Sequence, residues 1–379
     1  MSSTSRSHNL LLALFSIATV LLVVEIALRV FAPFPNPYAF VDVNQYIRFQ
    51  YPRNYAAVTE VEPGLPGTAG IHHFTTNNMG FRGGDLVQPR PADEYRIFLV
   101  GGSTFECFYL DDRAEIGRVL QDSLPPLADG RTARVYNVGL SGAASDDHIA
   151  MIGQRLVHLQ PDLIVVFAGV NDLTRSIFDY DYLHYDAPPK PSHAWYKTVA
   201  MNFQLVRRLH RLVTKMVPDA RTIQESRTLV SNYARQIALQ RTGVPATTPP
   251  RVDRDSYATN LRTMIGMARE VGSSVVFMTQ QTTWNSPVDA DAREWSWMRY
   301  RAGITYSEAD MDAAMDSLND VMRQVAEESH VPVFDLARWM PKSLEYFYDD
   351  CHFTPAGAAA AGTRLAEFLV GQQVVPPAR

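Results

Sequence analysis

A serine, a histidine and an aspartate of this sequence have the types and spacing that acyl transfer through a serine requires. Ser103 follows two glycines and offers a hydroxyl, His352 offers a base, and Asp349 lies three residues before His352, within reach of its Nδ1. The developing oxyanion needs N–H donors, and candidates are the backbone of Ser103 and Gly142 and the side-chain amide of Asn171. We therefore predict a catalytic triad of Ser103, His352 and Asp349, with an oxyanion hole formed by Ser103, Gly142 and Asn171.

Each of these residues also has a structural interpretation. A Gly-Gly-Ser-Thr turn after a strand is typical of a helix N-cap or a phosphate-binding loop. An isolated His352 is more often structural, Asn171 suits an Asx turn, and Gly142 suits any turn that needs a glycine. Asp172 is expected to support its loop.

The candidate residues must be positioned by the strands that precede them. Five β-rich apolar runs alternate with segments of helical periodicity, which predicts βαβ units and a parallel sheet covered by helices on both faces. The strand-like runs are Arg96–Val100, Arg134–Val138, Leu163–Phe167, Ser274–Thr279 and Val331–Phe334. The helical segments are 113–124, 146–158, 256–271, 308–329 and 355–370. Because the carboxyl ends of parallel strands share one edge, the candidate residues are expected to meet there.

Composition and motif searches exclude several other classes. The chain has 379 residues with 46% hydrophobic and 20% charged residues, and its net charge of −5 gives no reason to expect nucleic acid as a partner. Two cysteines exclude a disulfide-rich scaffold and a cysteine-based zinc site. The sequence has no Gly-x-Ser-x-Gly, Gly-x4-Gly-Lys or His-Glu-x-x-His motif. We predict no metal and no cofactor.

The amino-terminal part of the chain predicts a membrane anchor. Residues 1–8 are polar and are expected in the cytoplasm, and residues 9–32 form an apolar run long enough to span a bilayer when it extends to Phe31. A cleaved signal peptide is the competing interpretation, but no Ala-x-Ala site follows the run. Residues 33–95 are expected to be a linker and irregular structure, and 96–379 a single catalytic domain outside the cytoplasm, either periplasmic or extracellular.

A helical insertion is predicted at residues 173–252. Its part from Lys197 to Arg241 holds nine Lys or Arg residues against two acidic ones, and an apolar stripe at helical spacing begins at Val199. Docking of this stripe on the domain is the favoured interpretation. Contact of a basic amphipathic helix with anionic lipid is the alternative.

The four candidate segments together resemble the SGNH (GDSL-type) serine hydrolases. They read Gly101-Gly102-Ser103, Ser141-Gly142, Gly169-Val170-Asn171-Asp172 and Asp349-x-x-His352. The resemblance implies a three-layer αβα, flavodoxin-like fold with a parallel sheet of about five strands, and it favours Asp349 over the neighbouring Asp350 as the partner of His352. Gly102 stands where the family signature has aspartate. The Gly-Gly-Ser-Thr form, with an Asn-x-Gly-Phe-Arg segment before it, resembles a membrane-anchored bacterial branch.

Two further predictions concern the surroundings of the triad. Cys107 lies about one helical turn beyond Ser103 and Cys351 is adjacent to His352, so one hypothesis is a disulfide that connects the two segments in an oxidising compartment. The alternatives are small buried apolar residues or a free thiol in the pocket. Trp284, Trp295 and Trp297 follow the fourth strand-like run and are candidates for substrate contact, with loop anchoring as the alternative.

These observations predict a serine esterase that removes small acyl groups, O-acetyl foremost, from a cell-envelope carbohydrate. An O-acyltransferase that uses the same triad on a polysaccharide is the first alternative. A non-catalytic, membrane-anchored glycan-binding module is the second, and the complete triad argues against it, because binding alone requires none.

Overall fold

The computed structural model describes residues 3–32, 47, 50–61, 65–178, 200–214, 224–284, 290–301 and 303–376. The chain divides into two compact units. The smaller comprises Met1–Gln45 with Lys190–Ala220, and the larger comprises Tyr46–Pro189 with Arg221–Arg379.

The larger unit is built on a sheet of five parallel strands. These strands are β3 (Glu94–Gly101), β4 (Thr132–Asn137), β5 (Leu163–Phe167), β7 (Ser274–Met278) and β10 (Val333–Phe334). Their spatial order is β10-β7-β5-β3-β4. The first strand of this sheet in chain order, β3, therefore lies between its second strand, β4, and its third strand, β5. This is the flavodoxin-like order, and its switch point lies between β3 and β5. Both the predicted parallel sheet and the predicted fold class are confirmed.

The register of the sheet explains why the functional segments meet. Gly101 of β3 is paired with Phe167 of β5, which is paired with Met278 of β7, so three central strands end at the same level. All eight residues of β3 are buried, as expected of a strand covered on both faces. The turns after β3 and β5 therefore leave the sheet side by side.

Helices cover the sheet and connect its strands. The helices of the larger unit are α2 (Ser103–Glu106), α3 (Ile116–Ser123), α4 (Ser145–Gln154), α5 (Val170–Phe178), α7 (Gln224–Thr242), α8 (Arg254–Glu270), α9 (Ala290–Arg293), α10 (Glu308–Ser329), α11 (Leu336–Trp339) and α12 (Pro355–Gly371). Helix α3 packs on α12, and their apolar faces share a core with alternate residues of the central strands, such as Leu99 and Val165. Helix α8 packs on α4 and α10.

The segment predicted as irregular contains an antiparallel hairpin. Strands β1 (Ala56–Val61) and β2 (Gly70–Thr75) pair over their whole length. A second small sheet joins β6 (Val244–Pro245), β9 (Ile304–Thr305) and β8 (Tyr300–Arg301). Alternation in β2 is weak, because the buried position 72 holds a histidine and the exposed position 71 holds an isoleucine, and this explains why the sequence pattern did not show the hairpin.

The smaller unit contains α1 (Ser3–Phe31) and α6 (Gln204–Thr214). Within α1, Leu11–Phe31 is 21 residues long and apolar enough to cross a membrane by length and composition, a property that a signal sequence shares. Most of the remainder of residues 33–55 and of the predicted insertion between 179 and 223 lies outside the described residues.

Candidate active site

The predicted triad is assembled as a continuous chain of short contacts at the carboxyl edge of the sheet. Nε2 of His352 lies 2.7 Å from Oγ of Ser103, and Nδ1 lies 2.7 and 2.8 Å from the two carboxylate oxygens of Asp349. His352 and Asp349 are buried, whereas Ser103 is partly exposed. This arrangement lets an imidazole accept the serine proton while a carboxylate holds its opposite nitrogen.

Two glycines bring Ser103 to this edge. A Cβ on Gly101 would lie 2.9 Å from the carbonyl oxygen of Phe167, and one on Gly102 would lie 2.4 Å from Nδ2 of Asn171. Helix α2 then begins at Ser103, with Gly102 in an extended conformation before it. The lack of a side chain at 102 thus allows the Asn171 amide to approach the nucleophile turn. This is a physical reason for glycine at the position where the family signature has aspartate.

The other predicted oxyanion donors lie on adjoining turns. Nδ2 of Asn171 donates to the carbonyl oxygen of Ala143, 2.8 Å away. Gly142 has φ +72° in a turn that is closed by a 3.0 Å hydrogen bond from the Ala143 N–H to the Leu140 carbonyl, a conformation that favours glycine. The structure therefore gathers the segments around Ser103, Gly142 and Asn171, and the oxyanion role of their N–H groups stays a prediction.

Helix α5 fixes the Gly142 turn from below. Arg175 donates to the carbonyl oxygen of Gly142 at 2.5 Å and forms ion pairs with Asp146 and Asp147. Oδ1 of Asp172 accepts hydrogen bonds from the backbone and hydroxyl of Ser145 at 3.1 and 2.5 Å. The expectation that Asp172 supports its loop agrees with these contacts, whereas no local sequence pattern indicates the Arg175 contact.

Asp349 is surrounded by donors. Its Oδ1 accepts from the backbone N–H groups of Cys351 and His352 at 3.0 and 2.9 Å. Its Oδ2 accepts from the Tyr233 hydroxyl at 2.9 Å and from Nε1 of Trp297 at 3.0 Å. Burial alone would raise the pKa of Asp349, but the charge of His352 and the hydrogen bonds from His352 and the Cys351 backbone lower it to about 2. The carboxylate is therefore ionised at neutral pH.

His352 is held in place by its neighbours. Burial acts to lower the pKa of His352, but the adjacent Asp349 carboxylate outweighs burial and raises it well above 6.5. The ring of Tyr348 stacks on the imidazole with an interplanar angle of 9° and a centroid distance of 5.5 Å. Stacking restricts ring rotation, so Nε2 stays directed at Ser103.

Asp350 has a separate role from Asp349. Its Oδ1 accepts from Nε1 of Trp284 at 2.5 Å and from the Ser296 hydroxyl at 2.7 Å, and its Oδ2 accepts from the backbone of Trp297 at 2.7 Å. Burial and the charge of Asp349 raise the pKa of Asp350 to about 6. Asp350 thus connects the loop after β7 to the turn that carries the histidine, and Asp349 is the residue bonded to the imidazole.

Arg82 supports the nucleophile segment and was not identified from sequence. Its Nη1 donates to the carbonyl oxygens of Glu106 and Cys107 at 2.9 and 2.8 Å, and its Nη2 forms an ion pair with Asp112 at 2.8 Å. Arg82 is the arginine of the Asn-x-Gly-Phe-Arg segment. In that segment Gly80 has φ +81° and Phe81 is buried. The signal that could have revealed this role is an arginine directly after a buried aromatic residue.

Glu106 is a second buried residue beside the nucleophile. Its carboxylate accepts hydrogen bonds from the hydroxyls of Tyr51 and Ser141. Burial raises the pKa of Glu106 to about 7. Because Ser141 precedes Gly142, this contact ties the nucleophile helix to the predicted oxyanion turn.

The structure does not contain the predicted disulfide. Cys107 and Cys351 are free and buried. The Cys107 thiol lies 3.2 Å from the carbonyl oxygen of Thr104, and the Cys351 thiol lies 3.8 Å from the Thr104 hydroxyl and 3.8 Å from Sδ of Met298. The two thiols thus contact different groups of Thr104. Both cysteines are close in sequence to triad residues, but this does not fix where their side chains point, so the expected disulfide did not follow.

The three tryptophans differ in environment. Trp284 is only 2% exposed and donates to Asp350, so its predicted substrate contact is wrong and the loop-anchoring alternative holds. Trp295 and Trp297 are partly buried and pack against a small cluster of Leu65, Tyr233 and Tyr348. For these two residues substrate contact stays a prediction.

The same corner also offers a set of metal-ligand types. Asp349, Cys351 and His352 place one such atom each within 4.8 Å of one another. Burial raises the pKa of the Cys351 thiol, and Nδ1 of His352 already faces the Asp349 carboxylate. A cation there would have to displace that contact, so these residues suit the triad better than a metal.

Comparison with known proteins identifies the family of this region. Residues 99–360, more than two thirds of the chain, match the model of the GDSL-like lipase/acylhydrolase family. The matched region contains the nucleophile segment and the histidine turn. No curated protein matches the chain.

Several solved structures are similar to the chain at low identity. A GDSL-like lipase from Bacteroides thetaiotaomicron is 15% identical, with 76% of this chain and 91% of that chain covered and a TM-score of 0.40. A lipase/acylhydrolase from Enterococcus faecalis is 15% identical, with coverages of 75% and 99% and a TM-score of 0.41. A catalytic mutant of an acetylxylan esterase from Geobacillus stearothermophilus is 14% identical, with coverages of 74% and 94% and a TM-score of 0.40.

Proposed function

This chain belongs to the GDSL-like lipase/acylhydrolase family and is an ester-hydrolysing serine hydrolase, and from that premise we propose that it is a membrane-anchored esterase that removes O-acetyl groups from a cell-envelope carbohydrate. The observation that supports Ser103 as its nucleophile is the 2.7 Å contact between its hydroxyl and His352, whose other nitrogen lies 2.7 Å from Asp349.

In the first half-reaction Oγ of Ser103 attacks the carbonyl carbon of the ester, and its proton moves to Nε2 of His352. The carbonyl electrons move to the oxygen, which the N–H groups of Ser103 and Gly142 and the amide of Asn171 would stabilise. When the tetrahedral intermediate collapses, the sugar hydroxyl leaves with the proton from His352, and the acetyl group remains on Ser103. Water then repeats the sequence on the acyl-serine, releases acetate and restores the serine.

Asp349 stabilises the imidazolium that forms in both half-reactions. Its low pKa keeps it negative, and four neutral donors hold it in position. A carboxylate fixed in this way favours the neutral-histidine tautomer with Nε2 free to accept the serine proton.

The apolar helix α1 supports the proposed location. We infer an anchor in which the positively charged amino end faces the cytoplasm and the hydrolase domain faces the envelope. The proposed substrate, an acylated glycan, follows from this location and from the resemblance to the membrane-anchored branch of the family.

The full chain, purified in detergent, tests the catalytic proposal with a chromogenic acetate ester. We expect wild type to release the coloured leaving group of this ester with an initial burst. Ser103→Ala should release it at least about a thousandfold more slowly, because the acyl-serine cannot form. A phosphonate that phosphonylates serine nucleophiles should add to wild type at the peptide containing Ser103. Equal rates for the two proteins would contradict the assignment.

The alternatives give different results in the same preparation. Transfer of acetyl to an added polysaccharide that is faster than release of acetate would indicate the acyltransferase. Glycan binding with no turnover and no phosphonate adduct would indicate the binding module.

A further inference from the structure

Helix α6 of the insertion is tied to the carboxyl end of the apolar helix α1. The carboxylate of Glu25 accepts hydrogen bonds from the backbone N–H groups of Gln204 and Leu205 at 2.8 and 3.1 Å. Arg29 donates to the carbonyl oxygen of Asn202 at 2.8 Å, and Arg208 donates to that of Ala32 at 2.5 Å. Contacts from both helices thus fix the start of α6 beside residues 25–32.

If α1 spans a bilayer, these contacts fix the depth of α6. The apolar stretch Leu11–Phe31 is 21 residues long, which as a helix is about 30 Å and matches the hydrocarbon thickness of a bilayer. If α1 spans the bilayer, its last two turns lie at one boundary. Glu25 is acceptable there because Arg29 and the start of α6 bind its carboxylate. Helix α6 must then lie at the same boundary.

The composition around α6 suits that boundary. Between Asp186 and Asp219 the sequence contains no acidic residue and six basic ones, which are Lys190, Lys197, Arg207, Arg208, Arg211 and Lys215. Two large apolar side chains are solvent-exposed, Phe203 at 49% and Leu209 at 53%. Exposed apolar groups beside arginines are the pattern of a helix that lies in the headgroup region of anionic lipid.

We propose that α6 is an interfacial helix that binds anionic lipid headgroups at the end of the membrane anchor, with Phe203 and Leu209 entering the boundary between headgroups and acyl chains. This inference rests on the proposed membrane insertion of α1. It differs from docking of the apolar stripe on the domain, because the exposed apolar side chains of α6 then meet lipid and the basic surroundings of the helix meet lipid phosphates. The protein would then bind the membrane through two segments, the spanning helix α1 and the interfacial helix α6 of the insertion.

The test uses the full chain in nanodiscs of phosphatidylcholine, with or without phosphatidylglycerol. Leu209→Cys is labelled with an environment-sensitive fluorophore under native conditions, where the native cysteines are buried. With phosphatidylglycerol we expect blue-shifted emission and several-fold slower quenching by iodide than in phosphatidylcholine alone, and added salt should reduce the difference.

Two matched labels make failures distinguishable. Val244→Cys, at a 68% exposed apolar position of the larger unit, should stay water-exposed in both discs. Phe15→Cys, within α1, reports insertion of the anchor. A lipid-buried label at 15 with a water-exposed label at 209 in both discs would overturn the inference alone. Equal burial at 209 in both lipids would overturn the anionic preference, and a water-exposed label at 15 would overturn the anchor itself.

Discussion

Two consecutive carboxylates, Asp349 and Asp350, are equally buried, but their pKa values are shifted in opposite directions. Both side chains accept hydrogen bonds from tryptophan and backbone donors, and both are at most 1% exposed. The pKa of Asp349 is lowered to about 2, whereas that of Asp350 is raised to about 6. Burial acts in the same direction on both, so it cannot explain the difference.

The difference comes from the cationic partner. Asp349 faces the imidazole of His352, while Asp350 faces neutral donors and the negative charge of Asp349. One residue of displacement along the chain therefore separates the carboxylate that is bonded to the imidazole from the carboxylate that connects two loops. The charge nearest to each carboxylate, and not its depth of burial, sets the direction of its pKa shift.

Replacing each aspartate by asparagine should give the largest contrast. Asp349→Asn is expected to lower kcat by about 10⁴-fold, because an amide supports the wrong histidine tautomer and no longer stabilises the imidazolium. Asp350→Asn keeps the volume and should retain most of the activity. Steady-state rates on a chromogenic acetate ester measure both, and far-UV circular dichroism confirms folding. Similar losses in both variants would contradict the assignment.

The pH profile of the wild type tests the charge partner directly. His352 must be neutral to accept the serine proton. Burial acts to lower the pKa of His352, but the charge of Asp349 outweighs burial and raises the pKa well above 6.5. Activity should therefore increase as pH rises through the raised pKa of His352, with the acid limb of kcat/KM above pH 6.5. An acid limb below this pH would mean that Asp349 does not stabilise protonated His352 in the free enzyme.

Removing one donor from each carboxylate sharpens the comparison. Tyr233→Phe removes the hydroxyl bonded to Asp349 and should lower kcat by roughly tenfold, because a hydrogen bond to a charged group is worth about 1.5–3 kcal/mol. The less neutralised carboxylate should also move the acid limb to higher pH. Trp284→Phe removes a donor from Asp350 and is the matched control, expected to lower thermal stability with the acid limb unchanged. If the acid limb shifts equally in Tyr233→Phe and Trp284→Phe, the donors to Asp349 and to Asp350 do not act separately on His352.

The smallest expected effect concerns stability. Because the folded pKa of Asp350 is about 6 against an ordinary 3.8, its contribution is fully present below pH 3.8 and is lost as pH rises through 6. Asp350→Asn should therefore lose less stability than wild type between these pH values. Thermal unfolding followed by tryptophan fluorescence measures the change, and parallel pH dependences would contradict the raised pKa.

Several features of the site could be predicted from local sequence. Ser103 after two glycines, the Asp-x-x-His spacing and Asn171 after a buried strand each identify a residue and the strand end that carries it. The order of apolar runs predicts that these ends share an edge, because parallel strands leave no other arrangement. The donors to Asp349 could not be predicted in this way. Tyr233 lies in the insertion, 116 residues before its partner, and no periodicity connects the two.

The sequence by itself was enough to predict the candidate catalytic residues and the edge of the sheet on which they stand, since residue type, spacing and strand alternation are local properties. Only the tertiary structure decided which donors surround each of the two adjacent aspartates, that Arg82 and Glu106 support the nucleophile turn, and that the two cysteines are free thiols. The physical reason is that side-chain direction, burial and the nearest charge depend on how distant segments pack, and these three quantities set hydrogen bonding and ionisation.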